Sequence, residues 1–549
     1  MGGVVGLPGL VLVGQGASDG LEAGGAEEVS GRFAVAGVKP RCWPVRGEVD
    51  APSGRLAIEG GGRAVSAVRA GRRRRGALAV LLTAAFMGIL DVLIVNVAAP
   101  SIQRDLRAGF SDIQLVVSGY VLAYAVALTS GGRLGDSLGR RRVFLTGLLA
   151  FVACSAGCAL APSVGVLIGL RVAQGLAAAL MLPQVLSVIQ DVFPRQERPR
   201  ALALYGATMG MGAVVGQIVG GALIRADVLG LGWRSVFWVN VPIGLAVAAC
   251  VPFVVPHSRP VRRPVDAPGL LLTAVAMPLF IYPLIRGGGG GWTWWVWPAF
   301  AGAALALAAL WSVERRRERT GRAPLIAPSL FHGRGFTTGL GAALVFSCGN
   351  YGLFLLLAYV FQEGLHLSPL ASGVGFLPLG LGFAAASLAG RRPAVRHGNR
   401  LLTSGAGTMV LGYLVLAATL ARGPAASAGI QALAMAPALL IAGVGQGLVA
   451  APLIGVILAT VPPDEAGAAS GVVLTVNQLA SSLGVAAFGA LFVALLGADP
   501  QQTSARLTAH DFTDALLGCA WALLALAVAT GLLAWRLPPP AQPATDTTR

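Results

Sequence analysis

From Ala77 onward the chain repeats one pattern: a long apolar run, a short polar connection, then another run. The runs fall near 77–98, 114–131, 143–161, 164–186, 201–223, 235–255, 268–285, 292–312, 338–360, 370–389, 401–420, 431–459, 469–496 and 515–536, fourteen in all. A helix of about 20 apolar residues crosses the hydrocarbon core of a bilayer, and these runs have that length. Backbone N–H and C=O groups find no water in lipid, so each run is predicted to be an α-helix that satisfies its own hydrogen bonds. A transmembrane barrel would show alternating segments of about ten residues, and these runs do not alternate. The expected class is an all-α integral membrane protein with fourteen transmembrane helices.

Composition strengthens that reading. The 549 residues are 55% hydrophobic and 12% charged, where a soluble domain carries about 25% charge. The net charge of +17 does not point to nucleic acid, because it sits in short clusters between apolar runs and not on one face of a polar domain. Lys39 is the only lysine; the arginine bias, with abundant Ala and Gly, suggests a GC-rich bacterial genome. Cys154 and Cys158 lie one helical turn apart with no second ligand pair at metal-site spacing, so they are read as small packing residues.

The arginines set the orientation. Arg72–Arg75 and the even-numbered connections carry about 24 arginines, against 7 on the other side. Positive charge collects on the cytoplasmic side, so both termini are expected inside. Trp292, Trp294, Trp295 and Trp297 then fall at the outer interface, where an aromatic belt is expected. Residues 1–75 lack the spanning pattern. Their first apolar run, Val4 to Val13, is too short to cross and has no basic region before it. They are expected to form a disordered cytoplasmic extension, and residues 537–549 a disordered cytoplasmic tail.

Several polar residues stand out inside this pattern. The stretch Gly131–Arg142, GGRLGDSLGRRR, is the turn between the second and third runs. A positive-inside loop accounts for its arginines but not for Gly132, Gly135, Asp136 and Gly139 ahead of Arg140. Asp91 is the only acid in the first run, and an ionisable group at that depth is costly to bury and a functional candidate by default. Arg171 and Gln174 in the fourth run are three apart and share one helix face. The fifth run carries Gly206, Gly210, Gly212, Gly216, Gly220 and Gly221, a series that allows close helix contact, with Gln217 among them. Asn96, Asn350, Gln446, Asn477 and Gln478 are amides inside spans, readable as interhelical glue or as cavity lining, with Tyr351 and Phe354 at the depth of Asn350. Glu363 and His366 read as an exposed loop pair at the outer end of the ninth run.

These stretches resemble one family. Gly132–Arg142 is similar to the loop signature GxLaDrxGrkx of the major facilitator superfamily. Leu90–Pro100, LDVLIVNVAAP, resembles the lDxtivNvAlP pattern of drug:proton antiporters, and Arg171-Val-Ala-Gln174-Gly175 their RxxQG pattern. The fifth-run glycines resemble GxxxGPxxGG, with Gln217 where the family usually has proline. Trp233–Gly244 resembles WRwiFwiNvPiG, and the stretch around Ala466–Gly471 resembles aGaaSG. Arg391–Gly398 sits where the second half would carry its own copy of the loop signature, with Val395 in place of the acid. The match is to the fourteen-helix drug:proton antiporter branch, the EmrB/QacA type.

The resemblance implies a major facilitator fold: a six-helix bundle over 76–256, two inserted helices and linkers over 257–337, and a second six-helix bundle over 338–536. It implies a proton-coupled exporter of drugs or other amphipathic organic compounds, working by alternating access in the cytoplasmic membrane of a bacterium, as a monomer and without a cofactor or metal. Asp91, Arg171 and Gln174 would serve proton coupling. Gly132, Gly135, Asp136, Gly139 and Arg140 would form a conformational latch, and Gly212, Gly216, Gln217, Gly220 and Gly221 a moving interface. Export of a specific native metabolite or peptide stays open, as does a non-transporting receptor or scaffold with this fold. No nucleotide-binding P-loop, HExxH, or GxSxG with partners occurs in the sequence, so no enzyme reaction is expected.

Overall fold

The structure is a computed structural model that describes residues 59–194, 196–258, 266–290, 293–321, 328–423, 427–462, 466–497 and 507–537. Most of the N-terminal extension, Trp292, the acid pair Asp464-Glu465 and most of the C-terminal tail lie outside the described residues. Every regular element among the described residues is helical. In order these are α1 (Glu59–Leu106), α2 (Phe110–Leu138), α3 (Arg140–Ala159), α4 (Val164–Val192), α5 (Arg198–Ala226), α6 (Ser235–Trp238), α7 (Asn240–Val254), α8 (Ala267–Gly290), α9 (Val296–Arg319) and α10 (Arg334–Tyr359). They continue as α11 (Pro369–Gly375), α12 (Leu377–Ala389), α13 (Arg391–Leu420), α14 (Ala428–Leu458), α15 (Ala466–Leu496) and α16 (Ala509–Trp535).

Thirteen helical stretches among the described residues are long and apolar enough to cross a membrane. α5 occupies the place of the remaining expected run; it is 29 residues long, and its described apolar stretch is Val215–Ala226. The sixth run is interrupted at Val239 between α6 and α7, and the tenth at Phe376 between α11 and α12. Large side chains such as Leu271, Leu305 and Leu433 are exposed on the outer faces of α8, α9 and α14. A water-facing surface would not carry so much apolar area, and a lipid-facing one does.

Three expectations need correcting. α1 begins at Glu59, well before Ala77, although its stretch of spanning character starts only at Arg73. Gly131–Arg142 is not an extended turn: α2 runs to Leu138 and α3 starts at Arg140. The reversal falls on Gly139 alone, whose φ of +98° is open to glycine and strained for any other residue. Gly132, Gly135 and Asp136 therefore lie on the last turns of α2. Arg391–Gly398, expected as a connecting loop, forms the first turns of α13.

The helices pack as two groups. α2 and α3 pack on α4, and α3 on α7; α12 and α13 pack on α14, α10 on α15, and α13 on α16. α8 and α9 form a hairpin of their own. One hydrophobic core, with Met87, Phe144, Phe151 and Met181, comes from α1–α5 and α7. A larger one joins α10–α16 to the later part of α1, the start of α2 and the Trp233–Phe237 segment. The two groups meet where α2 packs on α15 and where α5 packs on α11 and α12.

Candidate functional site

The centre of the first group holds an ion pair excluded from water. Arg171 of α4 reaches Asp91 of α1, Nη1 to Oδ2, at 2.5 Å, with side chains 1% and 0% exposed. Gln174, one turn from Arg171, donates from Nε2 to Asp91 Oδ1 at 3.0 Å, and its Oε1 accepts from Arg171 Nη1 at 2.9 Å. Asn240, the first residue of α7, donates to Asp91 Oδ1 at 2.8 Å. Three N–H donors thus converge on two carboxylate oxygens, the arrangement a charged carboxylate needs to survive burial. The guanidinium is held from its other sides too. Nε donates to the Val116 carbonyl of α2 at 3.3 Å, and the Tyr120 ring lies 4.4 Å from Cζ. Asn240 Nδ2 also lies 3.1 Å from Ser155 Oγ of α3, which donates to the Phe237 carbonyl at 2.9 Å. Five helices therefore fix one carboxylate. A proton arriving on Asp91 would compete with these donors, so the site can couple protonation to the positions of α1, α4 and α7.

Aromatic residues lie beside this network. Tyr120 stacks on Tyr124 one turn along α2, with ring centroids 6.5 Å apart. Tyr124 is within electrostatic range of Tyr205 on α5 and Tyr351 on α10. Tyr124, Tyr205 and Tyr351 are surrounded by protein yet partly exposed, so they border internal space between the helix groups. Asn350 and Phe354 flank Tyr351 and are also partly exposed; Phe354 stacks on Phe376, with centroids 5.7 Å apart. Asn477 of α15 is partly exposed and accepts a hydrogen bond from Ser347. Asn96 and Gln446 are placed differently. Asn96 is buried, and Gln446 is buried and donates to Tyr413 Oη at 3.2 Å, which ties α14 to α13.

At the arginine-rich end, Arg140 binds two carboxylates. It meets Asp136, one turn earlier, at 3.0 Å and Asp191, near the end of α4, at 2.7 Å. Its Nη1 also donates to the Ser187 carbonyl at 3.0 Å, and its backbone N–H to Ser258 Oγ at 2.8 Å. Gly135 lies against the side chain of Gln184, which donates to the Gly131 carbonyl at 2.9 Å. Gly132 faces Pro183.

The α5 glycines divide between two neighbours. Gly212, Gly216 and Gly220 face α1 at Ile89, Leu90, Leu93 and Ile94. Gly221 lies against the backbone of Pro369 and Leu370 in α11, so closely that a Cβ would overlap the Pro369 carbonyl oxygen. Gln217 is buried and donates to the Leu93 carbonyl at 3.3 Å. The residue expected to kink α5 if it were proline instead binds α5 to α1.

At the opposite end the helix groups are bonded directly. Tyr359 Oη donates to Gln103 Oε1 at 2.7 Å, and Gln362 Nε2 to the Val97 carbonyl at 2.9 Å. Gln114 donates to the Val485 carbonyl at 3.2 Å. Glu363 is not an exposed loop residue: it sits on a π-turn, Val360–Gly364, that extends α10, and lies 3.6 Å from Arg104 with its side chain 18% exposed. The wider winding of a π-turn re-aims side chains, and here Gln362 and Glu363 both reach α1.

Sequence reasoning did not single out Tyr120, Tyr124, Tyr205, Gln184 or Asp191, and it noted Asn240 only as part of a motif. Asp191 had a usable signal, an acid near the arginine-rich end of a run. A tyrosine inside an apolar helix carries no such mark.

Residues 81–485 match the Major Facilitator Superfamily. The chain is 39% identical over 427 residues to a probable actinorhodin transporter of Streptomyces coelicolor, covering 77% of this chain and 73% of that one. It is 35% identical over 484 residues to a puromycin resistance protein of Streptomyces alboniger, covering 85% and 91%. Among solved structures, an inward-facing bacterial homologue of the human lysosomal transporter Spinster aligns with a TM-score of 0.60 at 15% identity, covering 83% of this chain and 95% of that one. At that identity the likeness shows the fold. With the match running from α1 into α15, and with relatives of this similarity along most of its length, the chain belongs to the Major Facilitator Superfamily.

Proposed function

We infer that this protein is a secondary transporter that exports drugs or other amphipathic organic compounds in exchange for protons, by alternating access. The observation that carries the reading is the Asp91–Arg171 pair. A carboxylate in the middle of a span, held by three donors from other helices, is costly to build and is what a proton-exchange site requires. Relatives named for antibiotic transport and resistance support the export direction.

In this reading α1–α7 and α10–α16 are two six-helix bundles, α8 and α9 are inserted between them, and α5 completes fourteen spans. The arginine-rich end faces the cytoplasm of a bacterium, with both termini inside. The protein works as a monomer in the cytoplasmic membrane. Protonation of Asp91 loosens Arg171, and the bundles rock about the α2–α15 and α5–α11 contacts. Asp136, Arg140 and Asp191 steady one of the two states.

A second reading, a dedicated exporter of one native compound, is favoured by relatives named for single antibiotics, among them a cephamycin export protein of Amycolatopsis lactamdurans. Dye and antibiotic accumulation in an efflux-deficient bacterium, with and without an uncoupler, tests the common core of both. Gradient-dependent exclusion of at least one compound is expected. Accumulation equal to vector controls across a broad panel would overturn proton-driven export.

A further inference from the structure

We propose that Tyr124, Tyr205 and Tyr351, with Asn350, bind a flat, uncharged aromatic substrate bearing oxygen or N–H hydrogen-bonding groups, and that this site discriminates against organic cations. The proposal rests on the export reading and names its substrate class.

The first ground is geometry. The three tyrosines come from α2, α5 and α10, and so from both helix groups, and Tyr124 is in range of the other two. All three pack on the core of the first group while keeping exposed surface. Partly exposed rings deep inside a protein offer π-faces on which a planar ring can stack. Because Tyr351 belongs to α10, a ligand between the rings would touch both groups that move.

The second ground is unmet hydrogen bonding. The Tyr120 hydroxyl is buried without a hydrogen-bond partner, and so is the Asn350 side-chain oxygen. Both flank the tyrosines, Tyr120 through its stack on Tyr124 and Asn350 as the neighbour of Tyr351. Buried polar atoms left unpaired are destabilising, and a ligand carrying both a donor and an acceptor would pair them.

The third ground is charge. Tyrosine rings attract cations, so an aromatic site alone would not exclude them. Burial of a cation away from water costs more than a ring face returns unless a carboxylate neutralises it. Asp91 is the only acid near the middle of any span in the sequence, and Arg171 already neutralises it. The other acids of the helical region lie toward the ends of the runs or in connections, or, like Asp136, Asp191 and Glu363, are paired to arginine there. The entrance on the arginine-rich side adds a positive field that disfavours cations further.

The test uses the full-length protein in lipid nanodiscs and a matched pair of fluorescent three-ring probes, acridone (neutral, one C=O and one N–H) and the 10-methylacridinium cation. Acridone is expected to bind at least tenfold more tightly. Tyr351→Ala and Tyr205→Ala should weaken acridone at least tenfold, and the milder Tyr124→Phe about threefold. Tyr413→Phe, between α13 and α14, should leave binding unchanged and reports on folding alone. Equal or tighter binding of the cation overturns the proposal, as does acridone binding that is absent or indifferent to the tyrosine substitutions. Acridone held at the tyrosines without gradient-driven efflux from proteoliposomes supports the site and counts only against the export reading.

Discussion

Arg171 and Asp91 come from helices 80 residues apart in sequence and meet at 2.5 Å with no water between them. Removing either partner of a buried pair strands the other charge, which costs about 3–5 kcal/mol. Arg171→Ala should therefore lower thermal stability by a margin easily seen in a fluorescence melt. Asp91→Asn should abolish gradient-driven efflux. The double variant Asp91→Asn with Arg171→Gln removes both charges together and should regain most of the stability while remaining inactive. A double variant that exports at the native rate would sink the role of this pair in proton coupling.

The α5 glycines are alike in sequence and unequal in the structure. At Gly216 a Cβ would meet Leu90 and Leu93 at 3.6 Å, ordinary contact. At Gly221 it would overlap the Pro369 carbonyl and lie 2.8 Å from Leu370 Cα. Overpacking of this kind costs about 1–3 kcal/mol. Gly216→Ala should keep near-native transport and melting temperature, and Gly221→Ala should lose much of both. Equal effects at the two positions would show that the α5–α11 contact is not the critical one.

Why some of this was legible in the sequence and some was not follows from the physics. Lipid forces a long apolar composition on every span, so the helices and the arginine-rich end could be read directly. Asp91 and Arg171 stood out one at a time because charge is rare at that depth, and Arg171 could be placed beside an acid only by resemblance. Asn240 could not be assigned to Asp91, because it lies 149 positions away and only folding joins them. The turn at Gly139 was read too long, since glycines on a helix end look the same as glycines in a loop. Glu363 was misplaced because a π-turn leaves no periodicity over five residues. The tyrosines carried no signal at all, since helix faces cannot be assigned when every face is apolar.

Arg140 serves two carboxylates, which changes the expected behaviour of the basic turn. Asp136 and Asp191 are 22% and 46% exposed, so each pair is partly screened and worth at most about 1 kcal/mol of stability. Asp136→Asn leaves Asp191 in place and should reduce export only partly, with normal membrane insertion. Asp136→Asn combined with Asp191→Asn should reduce it at least fivefold, while the melting temperature moves little. Loss of insertion in the double variant would instead make the cluster a folding element.

The bonds between α1 and the α10 extension set the last prediction. Tyr359 and Gln362 contribute two buried hydrogen bonds to α1, and Glu363 an ion pair with Arg104. A net hydrogen bond contributes about 1 kcal/mol, and the ion pair, partly exposed on the arginine side, contributes less. Tyr359→Phe with Glu363→Gln should therefore favour opening of this end by about tenfold in population, since about 1.4 kcal/mol corresponds to that factor. A cysteine placed at Val97, which is buried here, should react faster with a membrane-impermeant thiol reagent when both substitutions are present in a background lacking the native cysteines. An unchanged labelling rate would mean that other contacts, such as Gln114 with the Val485 carbonyl, keep this end closed without them.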